Sequence, residues 1–128
     1  MTITVFIRYH LDPYKRDGFE AYARSWLKII PKCGGEVVGY WIPHEGTDNI
    51  AYGLISFESL AAYETYRARL KSDGEGAANF ALAQKQRFIL SEERTFLRQV
   101  VRTPAATPPS RLRPDDLPPA AAARGYRR

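Results

Sequence analysis

The sequence predicts an α+β fold: a four-stranded antiparallel sheet with its helices on one face, laid down in the order β-α-β-β-α-α-β. Three observations lead there. Runs rich in β-branched and aromatic residues alternate with segments whose apolar residues recur at helical spacing. The stretch Pro43-His44-Glu45-Gly46-Thr47-Asp48, lying between two strand-like runs, has the chemistry of a hairpin turn. The chain of 128 residues, with 45% hydrophobic and 26% charged residues, has the size and composition of one globular domain.

Thr2 to Tyr9 reads as the first strand, ended by the turn-prone Asp12-Pro13. From Tyr14 to about Ile30, Phe19, Tyr22, Trp26, Ile29 and Ile30 recur at helical spacing, and Pro31 with Gly34-Gly35 is expected to stop the helix. Val37 to Ile42 and Ile50 to Phe57 form the hairpin. Ser59 is a plausible N-cap for a helix carrying Leu60, Tyr63, Tyr66, Arg67 and Leu70, stopped at Ser72-Asp73-Gly74. A shorter helix from about Glu75 to Arg87 follows, and Glu92 to Val101 reads as the last strand. With right-handed crossovers this order is the ferredoxin-like βαββαβ arrangement. Both parities of the strands carry apolar side chains, with Val5 and Ile7 against Phe6, Val38 and Tyr40 against Trp41, and Leu97 against Phe96. Helices cover one face of such a sheet, and a second copy of the chain is the most economical cover for the other.

Residues 104–128 hold six of the nine prolines, with many alanines and arginines, and read as a disordered tail beyond a domain spanning 1–103. The tail's five arginines against Asp115 and Asp116 account for +3 of the net charge of +5, so the domain itself carries an ordinary +2. The basic character therefore does not point to nucleic acid. No apolar run approaches the roughly 20 residues needed to span a bilayer. The N-terminus lacks the pattern of a secretory signal, and a lone cysteine, Cys33, has no partner for a disulfide or a zinc site. A cytoplasmic protein without membrane attachment is the expectation.

Tyr9-His10-Leu11-Asp12-Pro13-Tyr14-Lys15 leading into Phe19, then Gly39-Tyr40-Trp41, His44-Glu45-Gly46, Asn49-Ile50-Ala51-Tyr52 and Phe57-Glu58-Ser59-Leu60-Ala61, resemble the NIPSNAP family. The likeness continues through Tyr66-Arg67-Ala68-Arg69-Leu70 and Glu92-Glu93-Arg94 to Leu97-Arg98, covering roughly residues 3–103. It implies a dimeric α+β barrel, two ferredoxin-like sheets packed face to face, each subunit able to hold a pocket between sheet and helices. No reaction is generally established for the family. This chain departs from it in having Val5 and Ile7 where charged residues are usual, and Tyr14 where a glycine is usual.

No residue set forms a catalytic signature. A Gly-rich phosphate loop, a GxSxG elbow and an HExxH helix are all missing, and both histidines fall on strand ends or turns, unlike the helix-borne histidine of a haem degrader. No cofactor or metal is expected. The candidates for lining a pocket are Tyr9, Trp41, His44, Asn49, Tyr52, Tyr66, Arg67 and Glu93. Trp41 and Tyr52 offer aromatic faces to a planar organic molecule, and Asn49 a bifunctional amide. Tyr66 and Arg67 reach in from a helix. Each also has a plainer reading, as core, interface, turn cap or solvated strand start. Glu93, beside Glu92, can supply a carboxylate, and His10 or His44 an imidazole. A lone thiol at Cys33 makes a poor nucleophile without a positioned histidine.

The sequence thus favours a homodimer that binds a small organic molecule, with its transformation left open. The rival reading is an interaction or scaffold protein. An RNA-recognition module shares the βαββαβ order, but Ile50 and Leu54 stand where its third strand needs a basic residue and an aromatic.

Overall fold

Alternation along the first strand decides what the rest of the chain packs against. In the computed structural model, which describes residues 2–100, β1 (Ile3–Leu11) buries Val5, Ile7, Tyr9 and Leu11 and leaves Arg8 exposed. The segment read as a tail lies outside the described residues. β1 is the inner strand of a four-stranded antiparallel sheet, pairing β3 (Ile50–Phe57) on one side and β4 (Ile89–Arg98) on the other. β2 (Glu36–Trp41) pairs β3, giving the order β2-β3-β1-β4. This is the expected ferredoxin-like α+β fold.

A 3-10 turn at Pro13–Lys15, started by an Asp12 side chain that accepts from the Tyr14 N–H at 3.0 Å, leads into α1 (Arg16–Cys33). Phe19, Tyr22, Ala23, Trp26, Ile29, Ile30 and Cys33 are its buried residues, one stripe at spacings of three and four. The helix continues past Pro31, which does not stop it as expected. Gly34, at φ 108°, does, its N–H bonding the Pro31 carbonyl at 3.2 Å while that of Gly35 bonds Ile30 at 3.0 Å.

Gly35 is the tightest joint between helix and sheet. A Cβ there would stand 2.6 Å from Cγ2 of Ile30 and 3.0 Å from Cε1 of Phe57. Gly35→Ala is expected to destabilise the protein by about 1–3 kcal/mol through overpacking, read as a lower midpoint in urea at unchanged slope.

α2 (Leu60–Ser72) begins where Ser59 Oγ accepts from the Ala62 N–H at 3.1 Å, as the sequence predicts. Asp73 closes α2 and caps α3 (Gly74–Gln86), accepting from the Gly76 N–H at 2.9 Å. Gly76 N–H, the first cause, and Lys32, which pairs with Asp73 and Glu75, hold the Asp73 carboxyl below its ordinary pKa. Arg87 then turns the chain in left-handed conformation at φ 56°, so β4 starts at Ile89, three residues earlier than Glu92. β2 also differs from its expected span. A bulge between Val37 and Gly39 throws Val38 outward, so Val37 and Tyr40, not Val38 and Tyr40, share the face under the helices.

The outer face of the sheet carries no helix. Phe6 stacks on Tyr52 there, with ring centroids 5.6 Å apart, and Leu54, Trp41 and Leu97 extend the apolar surface. β4 is exposed along nearly its whole length.

Candidate functional site

The inner face of the sheet is lined with tyrosine. Tyr9 on β1, Tyr40 on β2, Tyr22 on α1 and Tyr63 and Tyr66 on α2 converge with Trp26 and Phe80 around a cavity of about 20 Å³. As it stands that is room for about one water. Gly53 opposes Tyr40 across β2 and β3, and a Cβ there would come within 2.7 Å of the Tyr40 ring, so the glycine lets that ring lie across the strand. Trp26 meets Tyr22 edge-on at 5.6 Å and Phe80 at 4.9 Å, making one wall. Tyr66 leans on Phe57 at 4.7 Å, making another.

The mouth is charged. Arg67 from α2 and Arg94 from β4 also line the cavity, and Phe96, two residues beyond Arg94, meets Tyr63 edge-on at 5.1 Å. The pairing Ile7↔Arg94 and Tyr9↔Glu92 puts Arg94 and Glu92 on the inner face of β4. Nε and Nη2 of Arg94 each donate to Glu92 Oε1 at 3.0 Å. Burial works against the Arg94 charge, but the Glu92 carboxylate more than offsets it and holds the guanidinium pKa above its ordinary value.

Burial, first of all, raises the pKa of Tyr9 well above that of a free phenol, and neighbouring Tyr40, Tyr22 and Glu92 push it the same way. Burial likewise raises Tyr22, Tyr40 and Tyr66. These phenols are hydrogen-bond donors near neutral pH, not phenolate bases. Their neutral forms are favoured in the fold, so their contribution to stability is fully present below pH 10, the ordinary phenol value, and is lost as pH rises towards the raised values. Absorbance at an alkaline pH is expected to show Tyr9, Tyr22, Tyr40 and Tyr66 ionising only with unfolding. Ionisation of these four near the free value in the folded protein would contradict this placement.

Six of the eight sequence candidates divide between the two faces, and two lie in the β2–β3 loop. Tyr9, Tyr66 and Arg67 line the cavity. Trp41 and Tyr52 pair across β2 and β3 on the outer face, away from it, and Glu93 is also there, its Oε2 at 2.6 Å from His10 Nε2. That bond, with Arg8 nearby, lowers the Glu93 pKa. His44 is exposed in the β2–β3 loop, and Asn49 serves through its backbone, whose carbonyl accepts from the Leu11 N–H at 2.7 Å. An expected pocket around Trp41, Asn49 and Tyr52 between sheet and helices is therefore corrected: strand parity turns Trp41 and Tyr52 to the other side. Cys33 is buried, and burial followed by Asp73 raises its thiol pKa, as unhelpful for a nucleophile as its sequence context suggests.

Tyr22, Trp26, Tyr40 and Arg94 belong to the cavity and were not among the candidates. Tyr22 and Trp26 sit four apart in a stripe that reads as plain core, while Arg94 needs the register of β4 to be placed. Among the described residues no group of three or more His, Cys, Asp or Glu can hold a metal ion, and no helix is long and apolar enough to cross a membrane.

A family model described as NIPSNAP matches residues 4–104. No curated protein matches the chain. Among solved structures, a NIPSNAP family protein with unknown function from Agrobacterium tumefaciens is similar at 20% identity and TM-score 0.69, over 80% of this chain and 92% of that one. An uncharacterized NIPSNAP-like domain protein from Burkholderia xenovorans is similar at 22% identity and TM-score 0.67, over 90% and 97%. A putative antibiotic biosynthesis monooxygenase from Nitrosomonas europaea shares the fold at 7% identity and TM-score 0.63, over 80% and 93%.

Proposed function

The chain belongs to the NIPSNAP family, and from that premise we propose that it binds a small organic molecule between sheet and helices, working as a homodimer joined through the outer sheet face. The observation that carries the binding reading is the convergence of Tyr9, Tyr22, Tyr40 and Tyr66 with Trp26 on a cavity whose mouth holds Arg67 and Arg94. A core built only for stability has no need of so many phenols, each of which must keep its hydroxyl satisfied when buried. The present volume admits about one water, so an organic ligand enters by displacing side chains at the mouth. Arg94 and Phe96 stand on β4, which is exposed along nearly its whole length, and they are the groups with room to move.

Dimerisation is supported by the uncovered face itself. Trp41 and Leu97 are 49% and 42% exposed, and Phe6, Tyr52 and Leu54 join them in one apolar surface. Such a surface favours a partner over water.

The closed state of the cavity favours a second reading, an interaction protein with a filled core. The two separate by experiment. The chain has two tryptophans, so Trp41→Phe leaves Trp26, in the cavity wall, as the sole indole. Flat aromatic compounds that enter the cavity must change Trp26 emission and saturate. Failure of every compound in a broad panel to do so would leave the interaction reading.

A further inference from the structure

Resting on that binding reading, we propose that the cavity selects flat organic acids, the ring lodged against Trp26 and the phenols and the acid group held at the mouth by Arg67 and Arg94. Two guanidiniums line one small cavity, and a single carboxylate, Glu92, answers them. Both of its short contacts to Arg94 use the one oxygen Oε1, and Arg67 forms no ion pair among the described residues. Two positive charges against one leave an excess of +1 at the entrance.

Both guanidiniums act on the same phenols. Each of them favours ionisation of Tyr22 and of Tyr66 against the opposing effect of burial, which places the two charges around a common space. A guanidinium matches a carboxylate with two parallel N–H donors and is weakly hydrated, so it suits recognition at a half-buried mouth better than an ammonium would. The phenols inside are kept neutral and can donate to the oxygen atoms of an acid. The Glu92 carboxylate sits on the exposed strand, where an incoming acid can take its place on Arg94 as Glu92 turns to water.

Phenylacetate and its neutral counterpart phenylacetamide have the same ring and nearly the same shape, so they isolate the charge. In full-length Trp41→Phe protein, titration of each against Trp26 emission is expected to give phenylacetate at least a tenfold tighter Kd. Arg67→Gln and Arg94→Gln should each reduce that advantage several-fold, weakening phenylacetate more than phenylacetamide. The amide also reports on folding, because a variant that still binds it has an intact cavity. Equal binding of acid and amide would overturn the selectivity for acids and leave the binding reading standing. Tighter binding of benzylamine than of phenylacetate would overturn it too, by making Glu92 the recognising group. Binding of none of the three overturns this inference, while the broad panel decides the binding reading.

Discussion

Replacing Phe19 by alanine is expected to cost about 3–5 kcal/mol, the range for removing a large ring from a packed core. Phe19 is fully buried, and the rings of Tyr9, Tyr22, Phe88 and Tyr40 surround it with centroids at 4.9, 5.9, 6.4 and 6.5 Å. These neighbours come from two strands, from α1 itself and from the turn before β4, so no single element can move inward to refill the space. Next to it, Gly18 allows Phe88 to approach so closely that a Cβ would stand 2.9 Å from the ring. The loss falls on a domain whose total stability is typically 5–15 kcal/mol. Equilibrium denaturation should show the midpoint falling with the slope preserved. A cost below about 1 kcal/mol would mean that the aromatic cluster is not the mechanical link between α1 and the sheet. A milder Phe19→Leu, which keeps most of the volume, should recover more than half of the loss.

Leu54→Asp is expected to turn the protein from dimer to monomer. Leu54 is central to the outer face, pairing in register with Phe6 on one side and with Gly39 on the other. Gly39 matters here because the Trp41 indole lies over it, 2.8 Å from where a Cβ would stand, which spreads the indole flat over the sheet as part of the same surface. A carboxylate set into the middle of a dry interface, with no partner, costs about 3 kcal/mol, or roughly a hundredfold in the dimer constant. The free chain loses little, since the same side chain faces water there. Light scattering should give twice the chain mass of 14.5 kDa for the natural protein and the single mass for the variant. Leu27→Asp, on the exposed side of α1, serves as the control and should stay dimeric. A natural protein that runs at the single mass, or a Leu54→Asp protein that stays at twice the mass, would refute the outer face as the dimer contact. The acid-selectivity test reads the opposite side of the sheet.

The two faces also explain where sequence reasoning succeeded and where it stopped. β3 lies at Ile50–Phe57, as expected, because a run of β-branched and aromatic residues between a turn and a cap leaves little alternative. Ser59 caps α2 as expected, since its side chain satisfies an N–H three residues along the chain, while Asp73, read only as the stop of α2, also caps α3 in the same way. Such local causes are legible in one dimension. The candidate site was legible only in part. Tyr66 and Arg67 followed from the helix pattern, and Tyr9 from its place in β1. Trp41, Tyr52 and Glu93 were read as pocket residues from their chemistry, but each is one residue away from a group on the inner face, Tyr40, Gly53 and Arg94, of which Tyr40 and Arg94 line the cavity.

The amino-acid sequence by itself determined the order of elements, the amphipathic stripe of α1 and the existence of two apolar sheet faces, because each depends on spacing within one segment. Tertiary structure alone decided which face meets the helices. A strand's two sides differ by one residue, and the choice is made by long-range register: Ile7 against Arg94, Tyr40 against Gly53, and a bulge at Val38 that reverses parity halfway along β2. One residue of register separates Glu93, bonded to His10 on the outer face, from Arg94 at the mouth of the cavity. That single step is set by pairing between strands more than eighty residues apart, where the burial of Val5, Ile7 and Tyr9 outweighs anything local.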